Sequence, residues 1–194
     1  MKTGKEALDF FEHSALPFDE YKFKKNSDGS RKRLENYYDL FQLSDGQKKK
    51  LDTLEHNHLI IATGMDHCFD CHVALPTLQR IAEYSGKVGF KVTSRTDSTD
   101  FIIPVYGGNR IPAVMFFDEH GDIMERWVER STFLYKKVAE IRKQIGWDVE
   151  KVTYQKEFMK MIKQEEKLIL EETANELIEK LLRSDAIMQS SIHK

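Results

Sequence analysis

The 194-residue sequence predicts an α/β sandwich, with a four- or five-stranded mixed sheet flanked by helices and helical extensions at both ends. Three observations predict it. Residues 59–63 (Leu-Ile-Ile-Ala-Thr) are short, apolar and β-branched, as strands buried on both faces are, and residues 88–93 read as a second strand. Between them, residues 69–84 carry Val73, Leu75, Leu78, Ile81 and Ala82 at helical spacing, so the two strands are parallel and joined by a crossover helix. Downstream, residues 113–117 and 123–128 flank Asp118-Glu119-His120-Gly121-Asp122, turn chemistry that makes them an antiparallel hairpin.

The elements follow in order. Residues 5–14 read as a short helix with Leu8 and Phe11 on one side. Between Pro17 and the turn Asn26-Ser27-Asp28-Gly29-Ser30, Tyr21 and Phe23 alternate with charged residues, which predicts a short edge strand. Leu34, Tyr37, Tyr38 and Phe41 space a helix over 31–43, and Ser44 with Gln47 forms a capping box opening another through residue 55. Residues 64–67 are a loop, and Gly86 ends the crossover helix. A short helical stretch is predicted over 99–106, irregular at Pro104, followed by the turn Gly107-Gly108-Asn109. Ile111-Pro112 leads into the hairpin, and Leu134, Val138, Ile141 and Ile145 pace a helix over 132–145 that Gly146 closes. Residues 57–146 are thus a β-α-β-α-β-β-α domain, preceded by a helical extension over 1–56. The third region, 147–194, is dominated by a long helical pattern over 149–183, from Phe158 and Met161 to Leu181 and Leu182. Its heptads are not sustained, so it is read as a helix or helix pair packing back on the core, with a dimer seam as the other reading; oligomeric state stays open.

Composition narrows the function. With 30 basic and 32 acidic side chains the formal net charge is −2, which gives nucleic acid no electrostatic footprint. The clusters Arg31-Lys32-Arg33 and Lys48-Lys49-Lys50 lie beside acids in helical sequence and read as solvated faces. No apolar run approaches the roughly 20 residues that span a bilayer, and Met1-Lys2-Thr3-Gly4-Lys5-Glu6 leads into no h-region. No membrane association and a cytoplasmic location are therefore expected. The two cysteines are three residues apart, a loop too short to be a useful structural staple, so their expected use is chemical.

Cys68-Phe69-Asp70-Cys71 falls between a predicted strand and a predicted helix. A thiol at a helix N-terminus faces unpaired backbone N–H groups and the positive end of the dipole, and both favour the thiolate that attacks disulfides. The second cysteine, one turn along, reaches back to resolve a mixed disulfide. Here the chain resembles the thioredoxin superfamily. Pro76 lies five residues past the second cysteine, where thioredoxins bend the active-site helix, and Ile111-Pro112 stands where the family has its cis-proline. The C-x-D-C dithiol with helical sequence before it is similar to a bacterial group of thioredoxin-like proteins. The resemblance implies that Cys68 is the nucleophile and Cys71 the resolving thiol. It further implies that Pro112, in the cis form, positions Ile111 so that its backbone pairs with a substrate strand.

Three departures from the family pattern accompany it. His67 replaces the tryptophan before the first cysteine, and is taken as a substrate-binding residue. Ala62 stands where thioredoxins bury an acid, so Asp70 either takes over as the proton acceptor for Cys71 or raises the Cys68 ionisation by like-charge repulsion with the thiolate. The glycine after the hairpin is replaced near Val128 or Glu129. Two rival motifs are weaker. Cys68 to His72 spells the c-type haem attachment sequence, which requires export, and zinc on the two cysteines with His67, His72 or His120 lacks a second ligand pair. His13, His56, His58 and His193 read as surface residues, and Trp127 and Trp147 as packing at the sheet edge and a helix end. The expectation is a cytoplasmic thiol–disulfide oxidoreductase with no cofactor and no metal. Its partners would be a disulfide-containing protein or small-thiol substrate and a separate reducing partner. A redox-inactive adaptor of the same fold is the alternative.

Overall fold

The computed structural model describes residues 4–98 and 109–191. Four helices come first: α1 (Gly4–Ser14), α2 (Phe18–Lys24), α3 (Asp28–Leu40) and α4 (Asp45–Leu51). Then follow β1 (His58–Gly64), α5 (Phe69–Ser85), β2 (Val88–Ser94), β3 (Ala113–Phe117), β4 (Ile123–Val128), α6 (Thr132–Ile145) and α7 (Lys151–Ser191). The four strands form one sheet in the order β2-β1-β3-β4. β1 runs parallel to β2 and antiparallel to β3, and β3 pairs antiparallel with β4. The helical stretch expected over 99–106 and His193 lie outside the described residues.

Alternation along the two central strands sets the layers. Ile60, Ala62, Val114 and Phe116 face a core shared with α5, α2, α3 and the C-terminal part of α7. Ile61, Met115 and Phe117 face the other way and are covered by Phe11 and Ala15 at the end of α1. α5 is held between α3 on one side and α7 on the other. The helix ends follow sequence chemistry: Ser44 and Gln47 make a reciprocal capping box on α4, and Gly86 takes the left-handed cap of α5 at φ 65°.

Two expectations are corrected. Residues 18–24 are a helix, not an edge strand. Pro17 caps it, and Phe18 and Tyr21, three apart on one face, enter the core while Phe23 points outward. The edge contact falls instead at Leu16, whose N–H and C=O both pair with Val92, and the proline that follows ends the pairing after one bridge. The second correction concerns the histidines. His58 is 4% exposed, and its Nε2 lies 3.1 Å from Asp185 on α7 while Ser184 Oγ approaches its Nδ1 at 3.4 Å. His56, also read as surface, is half-buried against the same carboxylate.

The long C-terminal pattern is helical over Lys151–Ser191, interrupted at Glu165 (φ −120°, ψ 16°), and it packs back on its own chain. Met161, Ile162, Ile169, Leu170 and Ala174 meet α3 and α6, and Leu177, Ile178 and Leu181 join the core under α5. Trp127 is buried and donates Nε1–H to Glu176, whereas Trp147 is exposed beyond α6 beside Arg142.

Asp185 pins this helix to the entry of β1 by accepting from the Glu55 and His56 amides, at 3.2 and 2.9 Å. Burial opposes its ionisation, but these amides and the two imidazoles outweigh it and hold its carboxyl below the usual range. Its contribution is therefore present at neutral pH and lost as pH falls through the lowered value. Asp185→Ala leaves several buried donors unpaired and is expected to cost about 2–4 kcal/mol, read from urea denaturation at neutral pH.

Candidate active site

β1 ends at Gly64, and after three intervening residues Cys68 takes the N-cap of α5 (φ −80°, ψ 110°). The loop between is pinned by the start of α3. The Ser27 hydroxyl donates to Asp66 at 3.0 Å, and the His67 N–H donates to Ser30 Oγ and Asp66 Oδ1 at 3.2 and 3.1 Å. His67 carries this turn in the left-handed region at φ 62°, with its imidazole out in solvent beside Asp66.

The Cys71 N–H donates to Cys68 Sγ at 3.2 Å, and the Cys71 thiol donates to the same sulfur at 2.6 Å, outside the ~2.05 Å of a disulfide. Both cysteines are therefore free thiols, Cys68 half-exposed and Cys71 buried. Their ionisations diverge. The Cys71 thiol, hydrogen-bonded to Cys68, pulls the Cys68 ionisation below its ordinary value, with the Cys71 and Asp70 amides adding to this against burial and the Asp70 charge. Burial pushes Cys71 far up, and a charge on Cys68 pushes it further. Ionisation of one sulfur is eased and that of the other is opposed.

Ile111 and Pro112 come from the far side of the sequence to face the dithiol. The peptide between them is cis, and Ile111 O lies 3.9 Å from Cys68 Sγ. Pro112 O accepts from the Glu129 N–H at 2.7 Å, which ties the end of β4 to the proline. Glu129 stands at φ 70°, a conformation that favours glycine, and is one of the two positions, with Val128, where the resemblance implies that a family glycine is replaced. Its carboxylate joins a charged rim that sequence reasoning missed. Arg130 bridges Glu129 (3.1 Å) and Asp70 (2.8 Å), while Arg110 at 3.0 Å and the Tyr135 hydroxyl at 2.5 Å meet the other oxygen of Glu129. Only the unusual residue after the hairpin signalled it.

Asp70 is largely buried in this rim. Burial raises its carboxyl to about 6, Arg130 restrains the rise and Glu129 adds to it. Of the sequence-stated candidates, the fold brings Cys68, Cys71, Asp70, Ile111 and Pro112 together. His67 is on the adjoining loop and faces outward, and His72 faces into the core. Among the described residues, no group of three or more His, Cys, Asp and Glu side chains is arranged to hold a metal ion. Pro76 sits inside α5 as the sequence places it, and leaves the His72 carbonyl without its helical donor.

Two outcomes follow. Asp70→Asn removes a like charge from beside Cys68, so the Cys68 thiolate titration, followed by thiolate absorbance, is expected to move to lower pH. An unchanged titration would take Asp70 out of the electrostatics. His72 is 1% exposed, and burial, with the nearby Arg33 charge, lowers its imidazole from 6.5 to about 4. Below pH 6.5 the unfolded chain binds a proton that the folded one excludes, so stability falls between about pH 6.5 and 4. His72→Leu is expected to flatten that slope in urea midpoints measured across the range.

The comparisons with known proteins agree with this frame. A family model described as thioredoxin matches residues 15–144. No curated protein matches the sequence. A crystal structure of a protein of unknown function from Pseudomonas aeruginosa aligns with TM-score 0.69 at 14% identity, covering 93% of this chain and 98% of that one. An HIV epitope-scaffold aligns with TM-score 0.65 at 14% identity, covering 90% of this chain and 96% of the scaffold. At such identity the likeness is one of fold.

Proposed function

This chain belongs to the thioredoxin family, and from that premise we propose that it is a thiol–disulfide oxidoreductase reducing protein disulfides through Cys68 and Cys71. The observation that carries the reading is the division of labour in the dithiol: a half-exposed sulfur with a lowered ionisation beside Ile111 O, and a buried one held protonated.

In the first step the Cys68 thiolate attacks one sulfur of a substrate disulfide. The substrate S–S bond breaks, a Cys68–substrate disulfide forms, and the departing substrate thiolate takes a proton. Cys71 then loses its proton and attacks Cys68 Sγ. That breaks the mixed disulfide, forms the Cys68–Cys71 disulfide and releases the second substrate thiolate, which is protonated in turn. Two electrons pass from the dithiol to the substrate, and an external dithiol or reductase must return them. Asp70, near 6, is the proton acceptor for Cys71 in this scheme. The Ile111 backbone next to Pro112 offers the substrate an extended edge, and the Arg110–Glu129–Arg130 rim borders it with charge. In the reducing compartment expected from the sequence the dithiol is the resting form, which makes the protein a reductant.

Cys71→Ser is expected to accumulate covalent adducts through Cys68, identifiable by mass spectrometry. Cys68→Ser should bring reduction of a model protein disulfide to the uncatalysed background. No adducts, together with no reduction by wild type, would favour the adaptor reading of the same fold.

A further inference from the structure

We propose that Glu129 is a positioning residue for Asp70: its carboxylate holds the Arg130 guanidinium in a one-armed contact, which leaves the second Asp70 oxygen unclaimed and open to a proton. The inference rests on the oxidoreductase reading for its purpose, since Asp70 is there the proton acceptor for Cys71. Its geometry stands on contacts outside the dithiol.

Arginine meets a carboxylate most strongly as a fork, with two N–H groups on two oxygens. Arg130 and Asp70 do not meet that way. One nitrogen, Arg130 Nη2, lies 2.8 Å from Asp70 Oδ2 and 3.1 Å from Glu129 Oε1, so it serves two carboxylates at once. The rest of the fork is unspent. Arg130 Nε and Asp70 Oδ1 are both buried, and neither has a hydrogen-bond partner among the described residues. Both members of a largely buried ion pair thus carry an unsatisfied atom, a costly arrangement that a fork would avoid. The competing pull of Glu129 keeps the guanidinium from closing it.

Glu129 is itself fixed from several sides. Its N–H donates to Pro112 O at 2.7 Å, and its Oε2 accepts from Arg110 Nη1 at 3.0 Å and from the Tyr135 hydroxyl at 2.5 Å. With Oε2 committed to these two, Oε1 is left facing Arg130. The backbone at φ 70° is strained for a glutamate, and a glycine would make the same bond to Pro112 without strain. What the strained residue adds is its carboxylate.

The consequence falls on Asp70. The charged or ionisable groups facing it are Arg130 and Glu129, from the segment after β4, and Cys68 and Cys71 on its own helix. Arg110 and Tyr135 face Glu129. A forked Arg130 would occupy both Asp70 oxygens and hold the group ionised, whereas the one-armed contact leaves burial in control, in keeping with a carboxyl raised to about 6. Glu129 and Arg130 exchange no proton in any step; they set the state of the group that does.

The test is NMR titration of the Asp70 side-chain carboxyl in the full reduced chain, in wild type, Glu129→Gly and Glu129→Asp. Glycine suits the backbone and removes the arm; aspartate keeps the charge on an arm one methylene shorter. Glu129→Gly is expected to lower the Asp70 midpoint by about one unit, about tenfold less protonated carboxyl at a given pH. Glu129→Asp should move it the same way, because the guanidinium is released although the charge remains. The acid limb of the pH dependence of mixed-disulfide release should move down with the midpoint, which a merely structural role would not cause. Should Glu129→Asp fail to fold, Glu129→Gln, which keeps the length and drops the charge, must lower the midpoint as Glu129→Gly does. An unmoved midpoint in Glu129→Gly would overturn the proposal, and so would a shift there with none in Glu129→Asp, since charge alone would then explain it. The titration needs no turnover. Shifted midpoints in a protein that reduces no disulfide would support the Glu129–Arg130–Asp70 linkage and sink only the oxidoreductase reading.

Discussion

The hydrogen bond from the Cys71 amide to Cys68 Sγ, at the first turn of α5, is the constraint on which the site depends. It exists because the chain leaves a buried strand, turns in three residues and begins a helix with a cysteine as its cap. Any serine or aspartate would satisfy the same amide. A sulfur there converts an ordinary capping contact into stabilisation of a reactive anion, with the free amides of the turn adding to it. The second thiol strengthens the effect and is penalised by it, since lowering one ionisation through an Sγ–H donor raises the other.

That geometry is held from outside the sheet. Ser27 and Ser30 at the start of α3 fix the turn before Cys68, Arg130 after β4 fixes Asp70, and Phe69 packs its ring edge-on against Tyr37 of α3 and Phe158 of α7. The terminal helices thus help to hold the dithiol in place. Asp185 secures the far end of the same arrangement, where α7 meets the start of β1 through His56 and His58.

Much of this was legible in sequence wherever the cause is local. The β-branched runs gave the strands, Ser44 with Gln47 and the glycines at 86 and 146 gave helix ends, and the cysteine spacing gave the dithiol. The parts that were not legible depend on partners far along the chain. His58 looks like a surface residue until Asp185 arrives from 127 residues away. Tyr21 and Phe23 alternate as strand residues do, and only the burial of Phe18 with Tyr21 on α5 and β2 decides for a helix. The Arg130–Asp70 pair spans 60 residues and carries no motif. Glu129 was flagged as a departure, yet its left-handed backbone and its place in the charged rim required coordinates.

The central claim is the inequality of the two thiols, and pH-dependent alkylation with peptide mapping reads it directly. Brief treatment of the reduced protein with iodoacetamide should label Cys68 alone, with a midpoint below that of an ordinary thiol, while Cys71 stays unmodified until the chain is unfolded. Equal labelling of both cysteines, or a Cys68 midpoint at or above the ordinary value, would contradict the account.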